Sequence, residues 1–183
     1  MMSGFLAVDD NGKRGLSLFF EPQSIAVIGS LREGYFGGYV VIKTLQNAGF
    51  KGKIFPVNPA YQEVLGLKVY PSLKDISEKI DLVLLIINRR SVPDMVSTCA
   101  DKGIKAVIVV ADGFAERDEE GARLQHEIVE IAKKSRMRII GPNTAGVANI
   151  VERIILTPVV SYELDELTSG EIGLVSQSGG LTG

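Results

Sequence analysis

Short apolar runs alternate along the chain with segments of helical periodicity. Because parallel strands need a crossover connection, this alternation predicts an α/β fold, a Rossmann-like doubly wound parallel sheet with right-handed crossovers and helices on both faces. The apolar runs, each closed by a turn signal, are residues 24–29, 53–57, 81–87, 106–111 and 138–140. The segments with apolar positions every three or four residues are 39–48, 92–102 and 119–134.

Three stretches depart from this alternation. Residues 61–77 contain Gly66 and Pro71, which predicts an extended connection and then a short helix. Residues 141–171 lose periodicity and indicate a long connection, whereas the apolar run at 171–176 predicts a further strand. We therefore expect four segments, which are an N-terminal extension at 1–20, one α/β domain at 21–149, a connection at 150–170, and the truncated start of a second, flavodoxin-like α/β domain at 171–183.

Composition narrows the choice of partner and location. The 183 residues carry a net charge of −2, and no block of like charge is present, which argues against nucleic acid or an anionic membrane surface. No apolar stretch approaches the roughly 18 residues of a membrane span, and residues 1–14 lack a signal-peptide core, so we expect a cytoplasmic protein. Cys99, the one cysteine, is expected to be a small buried helix residue.

A glycine-rich loop follows the first apolar run and precedes a helix. Backbone N–H groups in such a loop, together with a helix N-terminus, can face a phosphate, so we expect an anionic ligand, a nucleotide, at this place. NAD is the obvious rival, but Leu31 replaces the second glycine of its Gly-x-Gly-x-x-Gly pattern, and Asn58 replaces the acidic residue that binds ribose. A tight strand-to-helix connection without any ligand stays an alternative.

The ligand of an open α/β sheet lies beyond the carboxyl ends of the strands, where the strand order reverses. The residues at these ends are therefore predicted to line one crevice. Arg32, Arg89 and Arg90 are the candidate phosphate-binding cations because guanidinium offers a planar fork, although all three could be solvated surface residues. The full candidate set is Gly29, Ser30, Leu31, Arg32, Tyr35, Phe36, Gly37, Gly38, Asn58, Pro59, Asn88, Arg89, Arg90, Ala111, Asp112, Gly113, Asn143 and Thr144.

A series of motifs resembles the CoA-binding domain of the NDP-forming acyl-CoA synthetases, the superfamily of the succinyl-CoA synthetase alpha subunit and the ADP-forming acetyl-CoA synthetases. The resemblance implies CoA bound over the first domain, with its phosphates near loop 29–38, its nucleotide adjoining Asn58 and Pro59, and its thiol end toward residues 141–144. The chain departs from the family at Asn88 and Arg89, where a proline and a small residue are usual. The motifs are SIAVIGS at 24–30, GKIFPVNP at 52–59, LGLKVYPS at 65–72, VPD at 92–94, DGFAE at 112–116, EG at 120–121, GPN at 141–143 with Gly146, and GLVSQSG at 173–179.

The same resemblance implies that the family's phosphohistidine lies beyond this chain, so no catalytic residue and no metal ligand is expected within it. His126, the one histidine, is expected on a helix surface. Ser176, Ser178 and Gly179 resemble the loop whose hydroxyl and N–H groups support the phosphohistidine, the alternative being an ordinary turn.

We therefore expect the CoA-binding part of an acid–thiol ligase, inactive alone, that converts acid, CoA and ATP to acyl-CoA, ADP and phosphate. ATP, Mg²⁺ and an ATP-grasp domain or subunit are expected from outside the chain, the substrate is a small carboxylic acid, and the full-length enzyme is expected to be an oligomer. Two alternatives stay open. One is a CoA-sensing module of a protein lysine acetyltransferase, and the other is a non-catalytic NAD-type nucleotide-binding module.

Overall fold

Five parallel strands form the central sheet, in the order β2-β1-β5-β6-β7. The computed structural model describes residues 16–34, 36–158 and 168–177. The sheet strands are β1 (Ser24–Gly29), β2 (Lys53–Val57), β5 (Leu82–Ile86), β6 (Ala106–Val109) and β7 (Arg138–Ile140), and two short strands, β3 (Glu63–Val64) and β4 (Leu67–Lys68), form a hairpin beside them. The helices are α1 (Ser17–Phe20), α2 (Gly38–Ala48), α3 (Val92–Asp101) and α4 (Glu119–Ser135).

Both faces of the sheet are covered, which confirms the Rossmann-like doubly wound prediction. Alternate side chains of β1 point to opposite faces, so that Ile25 and Val27 pack with α2 while Ala26 and Ile28 pack with α3 and α4. All six residues of β1 are buried, as expected of a central parallel strand. The five strands predicted between residues 24 and 140 and the three long helices are present, with ends that differ by no more than two residues.

Helix ends follow local sequence signals. The Asp118 carboxylate accepts a hydrogen bond from the Gly121 N–H and so caps α4, whose first turn also contains Glu119 and Glu120. In the stretch 61–77, the short helix expected after Pro71 is a 3-10 turn at Leu73–Asp75.

The predicted long connection is wrong for part of its length. A further hairpin forms from β8 (Ala148–Asn149) and β9 (Ile154–Ile155), and Ile154 and Leu156 are buried on the α2 side of the sheet. Burial of this short apolar segment stabilises the hairpin, although the sequence around it shows no strand periodicity. Of the predicted extension at 1–20, the structure describes residues 16–20, and Phe19 of α1 is fully buried in the same core.

The strand predicted at 171–176 is not formed in the described residues. Ile172, Leu174 and Val175 are 96%, 71% and 101% exposed. A strand exists only when another strand pairs with it, and no strand of the described residues pairs with this segment. The expected second domain therefore stays a prediction.

Two predictions about single residues are confirmed. Cys99 is fully buried on α3, and burial raises the pKa of its thiol to about 12, as expected of an unreactive core residue. His126 is exposed on α4. Within the part of the chain that the structure describes, no helix is long and apolar enough to cross a membrane.

Candidate functional site

The strand order reverses between β1 and β5, and this is where the ligand crevice is expected. The ends of these two strands approach each other closely. A Cβ on Gly29 would lie 2.5 Å from the carbonyl oxygen of Ile86, so no larger residue fits there without moving the backbone. Gly29 is therefore needed for sheet geometry whatever the ligand.

A crevice of about 2060 Å³ opens at the carboxyl ends of β5, β6 and β7. Its other walls come from the β8–β9 hairpin and from residues 168–177. Ile172, Leu174 and Val175 on this side are largely exposed, so the crevice is open to solvent there. The predicted site residues that line it are Phe36, Asn88, Arg89, Ala111, Asp112, Asn143 and Thr144.

Asn58 connects the ends of β1 and β2. Its side-chain N–H₂ donates to the carbonyl oxygen of Gly29 at 2.8 Å, and its side-chain oxygen accepts from the N–H of Ala60 at 2.9 Å. The residue that stands in the place of the ribose-binding acid of NAD domains is thus used to hold two strand ends together. Pro59, the next residue, is exposed beside it.

The N-terminus of α2 differs from the expected phosphate cradle. The N–H groups of Gly38 and Tyr39 both donate to the carbonyl oxygen of Ser30, at 2.9 and 3.3 Å, and the N–H of Gly37 donates to that of Pro158 at 2.9 Å. These three amides are occupied, two because the loop turns back on itself at Ser30 and the third because Pro158 lies against Gly37. The expectation that they face a ligand is therefore corrected.

The remaining loop residues divide into core and surface. Leu31 is buried in the core on the α2 side, so its side chain is not part of the crevice. Arg32 is exposed, and among the described residues its guanidinium has no ion-pair partner. Tyr35 lies outside the described residues. Arg32 is thus the predicted cation whose charge stays available to an anionic ligand.

Arg89 and Arg90 are both paired with carboxylates, and their predicted role as phosphate-binding cations stays a prediction. The Arg89 side chain is only 16% exposed and donates to the carbonyl oxygen of Gly113, to both carboxylate oxygens of Asp118 at 3.0 Å, and to Glu120 at 2.8 Å. Arg90 forms a forked pair with Glu120 at 2.9 and 3.1 Å. The 3-10 turn Arg89–Ser91, capped by the Asn88 side chain, presents both arginines to the start of α4.

The carboxylates of this cluster have lowered pKa values. The hydrogen bond from the Gly121 N–H is the main cause for Asp118, with a further contribution from Arg89. The hydrogen bond and charge of Arg90 lower the pKa of Glu120. Both carboxylates are therefore charged at neutral pH, and they neutralise the arginines.

Glu116 joins the loops after β6 and β7. Its carboxylate accepts from the N–H of Gly113 at 2.7 Å and from the side-chain N–H₂ of Asn143 at 3.4 Å. Partial burial acts to raise the pKa of Glu116, but hydrogen bonds from backbone N–H groups and Asn143 outweigh it and the pKa is lowered. The N–H of Asn143 also donates to Ala111, at 2.9 Å, so these two crevice walls are held together.

Sequence reasoning missed several crevice residues. Arg117 lines the crevice but lies among the acidic residues 116–120, and Asn149 and Thr157 lie in the segment that we interpreted as a connection. The apolar triplet at 154–156 was the available signal for the hairpin. Ser176 is half-buried and lines the crevice, whereas Ser178 and Gly179 lie outside the described residues.

A doubly wound parallel sheet with a crevice at the carboxyl ends of its strands, on the β5 side of the switch point, defines a Rossmann-like ligand-binding domain. The sequence profile of the CoA binding domain family matches residues 23–150, and the chain belongs to this family. It is 39% identical over 160 residues to the ADP-forming acetate–CoA ligase II of Archaeoglobus fulgidus, covering 87% of this chain and 23% of the relative. It is 39% identical over 166 residues to the alpha subunit of the ADP-forming acetate–CoA ligase II of Pyrococcus furiosus, covering 91% and 35%.

The fold likeness extends to a solved structure of the dinucleotide-forming acetyl-coenzyme A synthetase 1 of Ca. Korarchaeum cryptofilum in complex with phosphate and ADP. The TM-score is 0.72 at 32% sequence identity, over 78% of this chain and 30% of that one. The chain thus spans about a quarter to a third of the length of these relatives.

Proposed function

We propose that this chain binds CoA in the crevice at the carboxyl ends of β5, β6 and β7, as the CoA-binding part of an ADP-forming acyl-CoA ligase. The observation that carries the proposal is the formation of this crevice on the β5 side of the switch point, with the ends of β5, β6 and β7 inside the region matched by the CoA-binding family. The reaction proposed for the whole enzyme is acid + CoA + ATP ⇌ acyl-CoA + ADP + phosphate.

The chemistry of the crevice suits a long molecule with an anionic end and an amide-containing arm. Side-chain amides and a hydroxyl come from Asn88, Asn143 and Thr144, and apolar surface comes from Phe36 and Ile140. These groups would hold the pantetheine arm by hydrogen bonds and apolar contact. Arg117 lines the crevice and is exposed, with Asp118 as an ion-pair partner at 3.9 Å, and Arg32 is exposed in the same loop as the crevice residue Phe36. Both cations would meet the phosphates.

The chain's own residues are proposed to bind and orient CoA, with the steps at phosphorus carried out elsewhere. ATP, Mg²⁺, the phosphohistidine, the ATP-grasp domain or subunit and the acid site are all proposed for parts of the enzyme outside the described residues. Oligomeric assembly of the full enzyme and a cytoplasmic location are further parts of the proposal. The two alternative functions, an acetyltransferase module and an NAD module, find no support in the relatives compared.

Calorimetric titration of the chain with CoA, dephospho-CoA and NAD tests the proposal. CoA is expected to bind tightest, and Arg32→Ala is expected to weaken CoA about tenfold by removing one charge-assisted phosphate contact. Arg123→Ala is the matched control, because Arg123 lies on α4 away from the crevice and its ion pair among the described residues is with the exposed Glu127, at 3.8 Å. Tighter binding of NAD than of CoA, or no measurable CoA binding, would overturn the proposal.

A further inference from the structure

One arginine connects three separate pieces of the chain beside the crevice. Arg89 belongs to the turn after β5, and its guanidinium reaches Gly113 in the loop after β6 as well as Asp118 and Glu120 at the start of α4. We call these residues, with Arg90, the Arg89 cluster. Because Arg89 also lines the crevice, the cluster connects directly to the wall that a ligand would contact.

The loop at 111–118 depends on this cluster for its shape. The Arg89 side chain packs over Gly113, with its Cδ 3.1 Å from the point where a Cβ of Gly113 would lie. The Asp118 carboxylate has two tasks, since it caps α4 through the Gly121 N–H at 2.7 Å and also holds Arg89. The arginine therefore fixes both the middle of the loop and the point where it enters the helix.

The cluster leaves Arg89 little positive charge to offer a phosphate. Three of its contacts are to carboxylate oxygens, and Glu120 is shared with Arg90 through a second fork. A guanidinium that is 16% exposed and held this way is oriented by the protein and not by the ligand. Arg89 has the geometry of a structural brace at the edge of the crevice.

We propose that Arg89 is a positioning residue, which holds loop 111–118 in the shape that forms one wall of the CoA crevice. It supports CoA binding through the position of this loop and makes no charge contact with the CoA phosphates. The inference rests on the proposed function, because it assigns a role to Arg89 in the same crevice.

Variants of Arg89 itself give the first test. Arg89→Ala and Arg89→Lys are both expected to weaken CoA binding about tenfold, because a lysine keeps the charge but lacks the fork that reaches Gly113, Asp118 and Glu120 together. A phosphate-binding arginine would also lose its fork in Arg89→Lys, so this variant tests whether the guanidinium geometry matters, and the acidic partners then separate positioning from phosphate contact. Full retention of CoA affinity in Arg89→Lys therefore contradicts the positioning role.

Variants of the acidic partners of Arg89 separate the two roles, because the roles predict changes in CoA affinity of opposite direction. Asp118→Asn keeps a good helix cap but removes a charge that pairs with Arg89, and Glu120→Gln does the same without touching the cap. A positioning role predicts weaker CoA binding in both variants, by about threefold or more. If Arg89 instead bound a CoA phosphate, removal of a neighbouring negative charge would free it and tighten CoA binding. Tighter binding would therefore overturn the inference. Glu127→Gln on the exposed face of α4 is the control and should leave the affinity unchanged.

Amide hydrogen exchange gives a readout that does not depend on the ligand. Arg89→Ala should speed exchange at residues 111–118 by about tenfold or more, with the amides of β1 and β5 unchanged. If the wild-type chain does not bind CoA, the proposed function fails while this loop measurement still decides the structural role of Arg89. If the chain binds CoA and the loop exchanges no faster in Arg89→Ala, the inference fails alone.

Discussion

The hydrogen bond from Asn58 to the carbonyl oxygen of Gly29 can be tested by a one-atom change. In Asn58→Asp an oxygen replaces the donor nitrogen that lies 2.8 Å from this carbonyl, while the bond to the Ala60 N–H is kept. The carbonyl loses its partner, which costs about 1–3 kcal/mol at a partly buried site. Repulsion between the introduced carboxylate and the carbonyl raises the pKa of that carboxyl. Each pKa unit of this rise lowers the free energy of unfolding at pH 7 by about 1.4 kcal/mol more.

The two effects together predict that Asn58→Asp lowers the free energy of unfolding by about 2–4 kcal/mol at pH 7. A protonated carboxyl can donate to the Gly29 carbonyl, so the folded chain holds the proton more tightly than the unfolded chain. The folded-state pKa is then raised. Stability is therefore highest below the unfolded pKa, near 4, and is lost as the pH rises through the folded value.

Urea unfolding at pH 7 and pH 4 measures this difference between Asn58→Asp and the wild-type chain. The deficit should shrink by about 1 kcal/mol or more at the lower pH. Asn58→Ala is the control without a titrating group, since it loses the bond to Gly29 together with the bond to Ala60 and should show a deficit of about 1–3 kcal/mol that does not depend on pH. Equal and pH-independent deficits for both variants would refute the argument.

Two further predictions concern the loop after β6 and the start of α4. Gly121→Ala should lower the free energy of unfolding, measured in urea, by about 1–3 kcal/mol, because its Cβ would lie 2.1 Å from the carbonyl oxygen of Phe114. Gly170→Ala is the control and should leave the free energy of unfolding nearly unchanged, because a Cβ there would have nothing within 4 Å. An unchanged free energy of unfolding in Gly121→Ala would contradict this prediction, because it would show that the loop can move to accommodate the Cβ. The wild-type chain should also lose stability as the pH falls below about 4, because the lowered pKa of Asp118 means that the folded state prefers the carboxylate. This part of the slope should be absent from the unfolding curves of Asp118→Asn, and an unchanged slope there would contradict the assignment.

The fold was predictable from the sequence because packing sets its periodicities. All six side chains of β1 are buried between two helical layers, and such a strand has to be a continuous apolar run. α4 has one buried stripe that includes Leu124 and Ile128, which gives the three-to-four residue spacing. In both cases a short stretch of sequence contains the whole signal.

The hairpin of β8 and β9 was not predictable in this way. Each of its strands has two residues, which is too short to show any period. Its stability comes from the burial of Ile154 and Leu156 against the α2 side of the core, which depends on where the rest of the chain places that surface. The exposed apolar run at 171–176 shows that an apolar run alone does not make a strand, because no strand of the described residues pairs with it.

The candidate site was predicted as a region more accurately than as a set of contacts. The rule that strand ends share one edge placed Asn88, Ala111 and Asn143 in one crevice. It could not show that Arg89 is neutralised, because its partner Asp118 lies 29 positions away in the sequence. Occupation of the α2 amides by Ser30 depends in the same way on loop geometry, which residue types alone do not determine.

The most direct test of the central claim is a crystal structure of this chain with CoA. The account predicts CoA along the carboxyl ends of β5, β6 and β7, in contact with Asn88, Asn143 or Thr144, with the Arg89 cluster unchanged and no phosphate bound to Arg89. A structure with CoA elsewhere on the surface, while the crevice holds only solvent, would contradict it.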